Sequence, residues 1–289
     1  MSGSLFVVAT PIGNLGDITA RAVETLREVS RVAAEDTRRT RALLSHLGIA
    51  GKPVDSLHAH SEARDVERIV AHLLEGESVA LVTDAGTPAV SDPGSALVRG
   101  AIEAGVRVVP IPGPSAVLAA LVGSGLAGDV GFRFMGFLPR AGPPRHAAIA
   151  RAAETPEPVV LFEAPSRTGE TLLDLAAITP ERRACVAREL TKMHEEMVRG
   201  TLQELAAMDR EWIGEIALVL AAHDPDARAD TVDEAAIDGR IDSELARGVH
   251  AKVAAEKIAA WSGRPKREIY ARVLQRKRKT ETGNDGEYG

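Results

Sequence analysis

Three clusters in the sequence combine carboxylates with arginine or lysine, the side chains that acid–base catalysis and phosphate binding use. They are Glu35-Asp-Thr-Arg-Arg39, Glu163-Ala-Pro-Ser-Arg167 and Arg188-Glu-Leu-Thr-Lys-Met-His-Glu-Glu196. Each cluster follows a predicted strand, which is where α/β proteins place their site residues. Taken singly, they are also explained as helix starts, because Asp36, Thr37 and Ser166 are suitable N-cap residues. The occurrence of all three favours a functional site.

Small or rigid residues follow three predicted strands and form a second group of candidate positions. These loops are residues 10–14, 84–88 and 111–115. Ligands of open α/β sheets bind beyond the carboxyl ends of the strands, and small residues let ligand atoms approach the backbone closely. We therefore expect residues 84–88 to form a ligand wall, with a structural turn as the alternative. Asp92 is predicted as the N-cap and Pro93 as the first residue of the next helix.

The usual nucleotide and metal motifs are absent from the sequence. After the first predicted strand the chain continues Thr10-Pro-Ile-Gly-Asn-Leu15, which lacks the glycine spacing of dinucleotide-binding loops, and no Gly-Lys-Ser/Thr phosphate loop occurs. This disfavours NAD and ATP as ligands. His58 and His60 could share a strand face, but no other cluster has the spacing of metal ligands. We predict no metal site.

The elements that must position these residues alternate in the first half of the chain. Predicted strands at 5–9, 32–34, 54–57, 79–82 and 106–109 are separated by helices that begin at Thr19, Thr37, Ser61 and Pro93. This alternation predicts a mainly parallel sheet covered by helices. Further strands are predicted at 132–138, 159–162, 184–187, 197–201 and 216–221. Their close spacing predicts a mixed sheet with hairpins.

The length and composition suit a globular protein with two cores. The chain has 289 residues, of which 45% are hydrophobic and 26% charged. Its one cysteine, Cys185, excludes a disulfide framework and suits a reducing compartment. No apolar run approaches the roughly 20 residues that span a bilayer, and the first residues do not resemble a signal peptide. We therefore expect a cytoplasmic protein with α/β domains at 1–113 and 114–224.

Residues 225–289 are predicted to form a linker and a helical module. The net charge of the chain is -6, yet residues 264–279 contain eight arginines and lysines and one glutamate. The turn Ser262-Gly-Arg-Pro265 separates two helical patterns, and the second helix carries most of these cations. A basic arm on an acidic body predicts a local contact with a polyanion. The alternative is a structural helical hairpin with a solvated charged face.

Together, the motifs closely resemble the RsmI family within the tetrapyrrole-methylase superfamily. The matching segments are Val8-Ala-Thr-Pro-Ile-Gly-Asn-Leu-Gly-Asp-Ile-Thr19, Glu35-Asp-Thr-Arg38, Val82-Thr-Asp-Ala-Gly-Thr-Pro-Ala-Val-Ser-Asp-Pro-Gly94, Ile111-Pro-Gly-Pro-Ser-Ala116, Phe162-Glu-Ala-Pro-Ser-Arg167, Arg188-Glu-Leu-Thr-Lys192 with Glu195-Glu196, and Ser262-Gly-Arg-Pro-Lys-Arg-Glu-Ile-Tyr270. They occur in order along nearly the whole chain. The ordinary tetrapyrrole-type glycine loop is replaced by Thr10-Pro-Ile-Gly-Asn14, which favours the RNA-modifying branch.

The resemblance implies an α/β fold with two α/β domains of the tetrapyrrole-methylase type, a cofactor cleft between them and a small C-terminal helical, helix-turn-helix-like module. It implies S-adenosylmethionine (SAM) as the methyl donor. The implied acceptor is the ribose 2'-hydroxyl of a cytidine in the decoding region of 16S ribosomal RNA, presented as RNA or as the small ribosomal subunit. A homodimer is implied as well, and no membrane partner is expected.

The resemblance also assigns candidate site residues. The implied cofactor-binding residues are Pro11, Gly13, Asp84, Ala85, Gly86, Thr87, Pro88, Ser115, Ala116, Phe162, Glu163, Ala187 and Ile216. The predicted RNA contacts are Arg38, Arg167, Lys266, Arg267 and Arg272.

A ribose hydroxyl must lose its proton to accept a methyl group, so a carboxylate or a lysine of lowered pKa is expected near the methyl donor. Glu189 and Lys192 are the leading catalytic candidates, and the others are Glu35, Asp36, Glu163 and Arg167. Methyl transfer from a sulfonium needs no metal. Two alternatives stay open: a SAM enzyme that acts on a small molecule such as a tetrapyrrole, and a non-catalytic RNA-binding adaptor.

Overall fold

The computed structural model describes residues 2–58, 63–91, 94–223, 234–247 and 249–283. The chain divides into two compact units, with the boundary between Ala222 and His223. The first unit contains two five-stranded sheets, and the second consists of helices. This is the predicted α/β class with a C-terminal helical module.

Five parallel strands form the first sheet. They are β1 (Ser4–Val8), β2 (Arg31–Ala34), β3 (Val54–Ser56), β4 (Val79–Val82) and β5 (Arg107–Ile111). Their order is β3-β2-β4-β1-β5. The accompanying helices are α1 (Ala20–Glu28), α2 (Thr37–His46), α3 (Ala63–Leu74) and α4 (Ser95–Glu103). The parallel sheet predicted from the alternating pattern is confirmed.

Local capping explains where the helices of this sheet begin. Thr19 and Asp36 cap α1 and α2, since each side-chain oxygen accepts backbone N–H groups from the first turn. Asp92 and Pro93, predicted as the start of the next helix, lie outside the described residues. Within them, α4 begins at Ser95 and has no side-chain cap.

The second sheet is mixed, as predicted. Its strands are β6 (Arg133–Phe137), β7 (Val159–Glu163), β8 (Arg183–Arg188), β9 (Glu196–Thr201) and β10 (Ile216–Leu220). The order is β6-β7-β10-β8-β9, in which β6 and β7 are parallel and the other neighbours antiparallel. The hairpin predicted from the close spacing of two strands is formed by β8 and β9.

Four helices accompany the second sheet: α5 (Ala116–Ser124), α6 (Gly142–Glu154), α7 (Pro165–Ile178) and α8 (Leu202–Ala206). No helix was predicted for residues 142–154, which contain Pro143 and Pro144. They form a helix because both prolines lie in its first turn, where no intrahelical N–H bond is lost.

The loop after β1 packs into a hydrophobic cluster of the second sheet. Ile12, from the loop after β1, packs in the same buried cluster as Val117 of α5 and Ala217 of β10. In the same loop, the Asn14 backbone N–H donates to Thr191 Oγ1 at 3.1 Å. The loop after the first strand is therefore built into the core of the second sheet.

The second unit contains α9 (Glu234–Ala246), α10 (Ala251–Ser262) and α11 (Lys266–Gly283). Its small core consists of Ile237, Ile241, Ala251, Ala254, Ala255, Ile258, Ile269 and Val273. The predicted turn separates α10 from α11, with Gly263 in the left-handed conformation that ends α10. Among the described residues, no helix is long and apolar enough to cross a membrane.

Candidate active site

A cleft of about 430 Å³ lies beyond the carboxyl ends of β2 and β4 and takes residues from both sheets. The volume falls within the roughly 300–1,000 Å³ that small-molecule sites occupy. Its lining consists of Ile12, Glu35, Arg39, Asp84, Ala85, Gly86, Thr87, Val90, Ser91, Ser115, Ala116, Val117, Phe137, Phe162, Glu163, Ala164, Pro165, Leu190, Gly214, Glu215, Ile216 and Ala217. Strand ends and the loops after them thus supply most of the wall.

Parts of the three small-residue loops line the cleft. The predicted residues Asp84, Ala85, Gly86, Thr87, Ser115 and Ala116 all line it. Gly86 pairs with Thr10 through two backbone hydrogen bonds of 2.9 and 3.0 Å and has φ of +82°. A glycine is needed there for its backbone conformation, because a side chain would strain a loop fixed at both ends.

The second sheet supplies another part of the lining. Phe162, Glu163 and Ile216 line the cleft, and these were also predicted. Phe162 stacks edge-on against Phe134, with ring centroids 5.0 Å apart, and Phe137 lies 5.5 Å away. This aromatic group offers an apolar surface to a planar ligand.

Four predicted cofactor residues lie outside the lining: Pro11, Gly13, Pro88 and Ala187. Pro11, Pro88 and Ala187 are buried, and Ala187 belongs to the cluster beneath α5. Gly13 lies against residues 190–192, where a Cβ would come within 2.6 Å of Lys192 Cγ. These positions support the walls, and direct cofactor contact from them remains a prediction.

Glu35 and Asp84 form an acidic pair in the cleft, at the ends of the neighbouring strands β2 and β4. Glu35 Oε2 accepts the Thr83 hydroxyl at 2.6 Å and the Asp84 N–H at 3.4 Å. Asp84 Oδ1 accepts the Asp36 N–H at 3.1 Å, and Oδ2 lies 3.3 Å from the exposed Arg39 guanidinium. Burial, followed by the negative charge of Glu35, raises the pKa of Asp84.

Glu189 and Lys192, the leading catalytic candidates, lie beside the cleft lining and bind each other. Glu189 Oε1 accepts from Lys192 Nζ at 3.0 Å and from the Glu215 N–H at 2.9 Å. Those two donors, with the backbone N–H the stronger, lower the pKa of Glu189. Burial lowers the pKa of Lys192, but hydrogen bonds to Glu189 and Glu215 raise it by more, so the net shift is upward. The lowered lysine pKa expected of a base is not found.

Glu163 is buried, and its carboxylate is fully engaged. Oε1 accepts the Ala164 N–H at 2.8 Å and lies 2.5 Å from the Arg167 guanidinium. Oε2 accepts the Thr171 hydroxyl at 2.8 Å and lies 3.6 Å from Arg145. The group anchors the start of α7 to β7. Arg167, predicted as an RNA contact, therefore has one face committed to Glu163.

The other predicted RNA contacts differ in how far their charges are available. Arg38 is 89% exposed, with Asp36 3.5 Å away, and Lys266 pairs with Glu256 at 2.9 Å on the surface. Arg267 is exposed.

Arg272 binds Asp238 Oδ1 at 2.6 Å and Glu234 Oε2 at 2.5 Å. These bonds raise the pKa of Arg272. Its cation joins α11 to α9, which the sequence analysis did not foresee.

Several lining residues had not been singled out as cofactor residues, among them Arg39, Phe137, Leu190 and Glu215. Arg39 and Leu190 lie within the polar clusters, so cluster membership was their signal. Phe137 ends β6 and Glu215 precedes β10, and neither carried a signal in the sequence. Within the described ranges, no group of three or more His, Cys, Asp or Glu side chains could hold a metal ion; His60 lies outside those ranges.

A family model described as tetrapyrrole (corrin/porphyrin) methylases matches residues 4–206. The chain belongs to the tetrapyrrole methylase family. Two curated relatives within it are both named ribosomal RNA small subunit methyltransferase I. The protein from Xylella fastidiosa (strain Temecula1) is 45% identical over 93% of this chain and 98% of its own length. The protein from Synechocystis is 44% identical over 94% of this chain and 98% of its own length. They confirm the resemblance inferred from the motifs.

The fold of this tetrapyrrole methylase is also that of a solved structure, uroporphyrin-III C-methyltransferase from Thermus thermophilus complexed with S-adenosylhomocysteine. The two share 20% identity with a TM-score of 0.54, over 76% of this chain and 97% of the other. The match supports the predicted fold class.

Proposed function

We propose that the protein is a SAM-dependent methyltransferase that methylates the 2'-hydroxyl of a cytidine ribose in 16S ribosomal RNA. The observation that carries this proposal is the likeness to ribosomal RNA small subunit methyltransferases I, at 44–45% identity over nearly the whole chain. The cleft gives the proposal a physical site. The cytoplasm is the proposed place of action, since ribosomal RNA is the substrate.

The residues of the cleft fit SAM. The donor is a folded molecule with an adenine ring, a ribose and a charged amino acid, and it supplies an electrophilic methyl group on a sulfonium. The backbone loops 84–87 and 115–116 offer N–H and C=O groups without bulky side chains. We propose that they hold the polar parts of the donor while Phe162 and Ile216 contact its apolar parts. The predicted residues Pro11, Gly13, Pro88 and Ala187 would keep these walls in place.

Holding donor and ribose in line is the main task of such a site, because positioning alone lowers the barrier to a two-substrate reaction substantially. Residues 84–87 are fixed by the Thr10–Gly86 pairing, so the wall is preorganised. The apolar wall would exclude water, so that solvent does not compete with the ribose hydroxyl for the methyl group. The ion pair of Glu189 and Lys192 would hold Leu190 in place. Leu190 lies between these two residues in the sequence and lines the cleft.

We propose that RNA phosphates are bound by exposed cations. Arg38 and Arg39 lie at the start of α2 beside the cleft, and both are mostly exposed. Lys266 and Arg267 begin α11 in the second unit, and both are exposed. Flexible cations neutralise phosphates without reading bases, which predicts a salt-dependent affinity.

A homodimer is part of this proposal. Two apolar side chains one turn apart on α5, Leu118 and Val122, are 52% and 75% exposed. Adjacent exposed apolar groups suit a protein interface. Val122→Glu should shift the protein toward monomer in analytical ultracentrifugation, and an unchanged sedimentation coefficient at equal concentration would argue against this face.

The experiment that tests the function is methyl transfer from radiolabelled SAM. Purified small subunits and naked 16S RNA from cells that lack this activity are the acceptors. Mass spectrometry of nuclease digests should place the methyl group on a cytidine ribose. A tetrapyrrole acceptor is the second candidate, favoured by the family model's description; label in uroporphyrinogen and none in RNA would replace the present proposal with that one. RNA binding without methyl transfer to either acceptor would favour the adaptor.

A further inference from the structure

The proposed reaction needs a proton acceptor, and neither leading candidate is arranged as one. Glu189 already accepts from Lys192 and from a backbone N–H, which stabilises its charge and weakens it as a base. Lys192 is held in its cationic form by two carboxylates. Glu163 is buried under two arginines and a hydroxyl. Asp36 caps α2.

Glu35 is arranged differently. It lines the cleft, and a single oxygen, Oε2, takes both of its hydrogen bonds. In the described part of the chain, no hydrogen bond reaches its other oxygen, Oε1. The short bond from the Thr83 hydroxyl fixes the carboxylate at the end of β2. A fixed carboxylate that lines a ligand cleft and has one oxygen without a hydrogen bond is suited to act as a general base.

A second carboxylate, that of Asp84, lies beside Glu35. Asp84, in the loop after the neighbouring strand β4, adds a second negative charge and donates its own backbone N–H to Glu35. After burial, the negative charge of Glu35 is the next cause that raises the pKa of Asp84. Arg39, which also lines the cleft, lies on the far side of Asp84. The cation offsets part of the charge of Asp84, and among the described residues it makes no hydrogen bond to Glu35.

We propose that Glu35, fixed by Thr83 and paired with Asp84, takes the proton from the ribose 2'-hydroxyl during methyl transfer. This rests on the proposed function. The oxygen–hydrogen bond breaks and the proton goes to the open Oε1 of Glu35. The ribose oxygen forms a bond to the methyl carbon, and the carbon–sulfur bond breaks with its electron pair left on sulfur. The products are 2'-O-methylated RNA, the neutral thioether and protonated Glu35, which returns its proton to solvent.

The test is Glu35→Gln, because glutamine keeps an oxygen for the Thr83 hydroxyl and loses only the basic group. General-base catalysis contributes about 10²–10⁴-fold, so we expect single-turnover methyl transfer to fall at least about 100-fold. Calorimetric affinity for S-adenosylhomocysteine should change less than about twofold. Glu24→Gln, the same change at an exposed position of α1, is the matched control and should keep the parent rate.

A pH series separates a base from a structural group. With Glu35→Gln the rate should keep rising with pH, since hydroxide replaces the missing base, whereas the parent should reach a plateau. The charged groups that face this position are Asp84 and Arg39 beside it, with Glu163 and Glu215 elsewhere in the lining, so Asp84→Asn is measured in parallel. It should shift the plateau of the parent profile without removing it.

The possible results separate a failure of the Glu35 proposal from a failure of the proposed function. If the parent methylates RNA and Glu35→Gln does so at the same rate, Glu35 is not the base and the inference is overturned. Loss of the rate together with loss of S-adenosylhomocysteine affinity, repeated with Glu35→Ala, would assign Glu35 to donor binding and overturn it too. If Glu189→Gln alone abolished transfer, the base would be Glu189. A parent that transfers methyl groups to no RNA would overturn the proposed function first.

Discussion

Arg182 is the buried cation on which we expect the second sheet to depend most. Its side chain is 7% exposed, and its guanidinium donates to five backbone carbonyls. The acceptors are Ala221 (2.8 Å), Ala152 (2.8 Å), Ala153 (2.8 Å), Thr155 (3.1 Å) and Glu157 (3.4 Å). Burial lowers the pKa of Arg182 to about 10, so it remains cationic at neutral pH. One side chain thus joins the end of α6, the connection to β7 and the end of β10.

Arg182→Met keeps the length of the side chain and removes every donor. A buried carbonyl left without a partner costs about 1–3 kcal/mol, but five such costs are not additive, since water can enter and the ends of α6 and β10 can relax. Breaking a buried charged network costs about 3–5 kcal/mol, and we expect a loss of that size. At roughly 2–4 °C per kcal/mol for a protein of this size, the melting temperature should fall by roughly 6–20 °C.

The assay is urea unfolding followed by circular dichroism, with thermal melting as a second measurement. Arg183→Met is the matched control, because Arg183 is the next residue and is exposed; it should change stability by less than about 0.5 kcal/mol. If Arg182→Met lost under about 1 kcal/mol, or no more than the control, the carbonyl bonds would not carry the stability assigned to them.

Four further predictions follow from the site and the helical unit. Ala116→Leu puts a branched side chain into the cleft and should weaken SAM binding about tenfold or more in calorimetry, whereas Ala20→Leu, at the exposed start of α1, should not. Arg272→Ala should destabilise the helical unit by about 1–2 kcal/mol in thermal melts of the full chain, while Arg267→Ala should leave stability unchanged and flatten the salt dependence of RNA affinity. Gly13→Ala must displace Lys192 and residue 191 and should cost about 1–3 kcal/mol, against a negligible change for Gly128→Ala, where a Cβ meets nothing within 4 Å. Asp84→Asn should raise the melting temperature at neutral pH, because the folded-state pKa of Asp84 is raised and its ionised form therefore destabilises the fold. The gain in melting temperature should shrink as the pH falls through that folded-state pKa toward the ordinary aspartate value. A gain that is independent of pH would contradict this reasoning.

Much of the fold was predictable because the strands are short apolar runs between turn residues. The predicted limits of β4 match the structure, those of β2 differ by one residue at one end, and those of β8 differ by one residue at each end. The alternation of these strands with helices in the sequence then predicted a parallel sheet. The helix α6 was missed because its two prolines suggest a break unless their place in the first turn is known.

The parts of the candidate site that are backbone loops after strands were predictable. The parts that depend on which side chains the fold brings together were not. Loops after strands point to a ligand wall whatever the strand order. The Glu35–Asp84 pair exists because β2 lies beside β4, although β3 intervenes in the sequence. The pairing of Glu189 with Lys192 depends on a turn in which Glu189 has φ of +49°. Such a left-handed residue has no signature in the residue types around it.

The insertion of Ile12 into the core of the second sheet bears on how this chain can be divided or recombined. A fragment that ends near residue 113 would carry Ile12 without the cluster that buries it, and the complementary fragment would have a gap in its core. Neither half is therefore a good unit for separate expression, for a chimaera with a relative or for directed evolution of one wall of the cleft. A cut between 222 and 223 leaves that cluster whole, which makes it the better place for a fusion or a truncation.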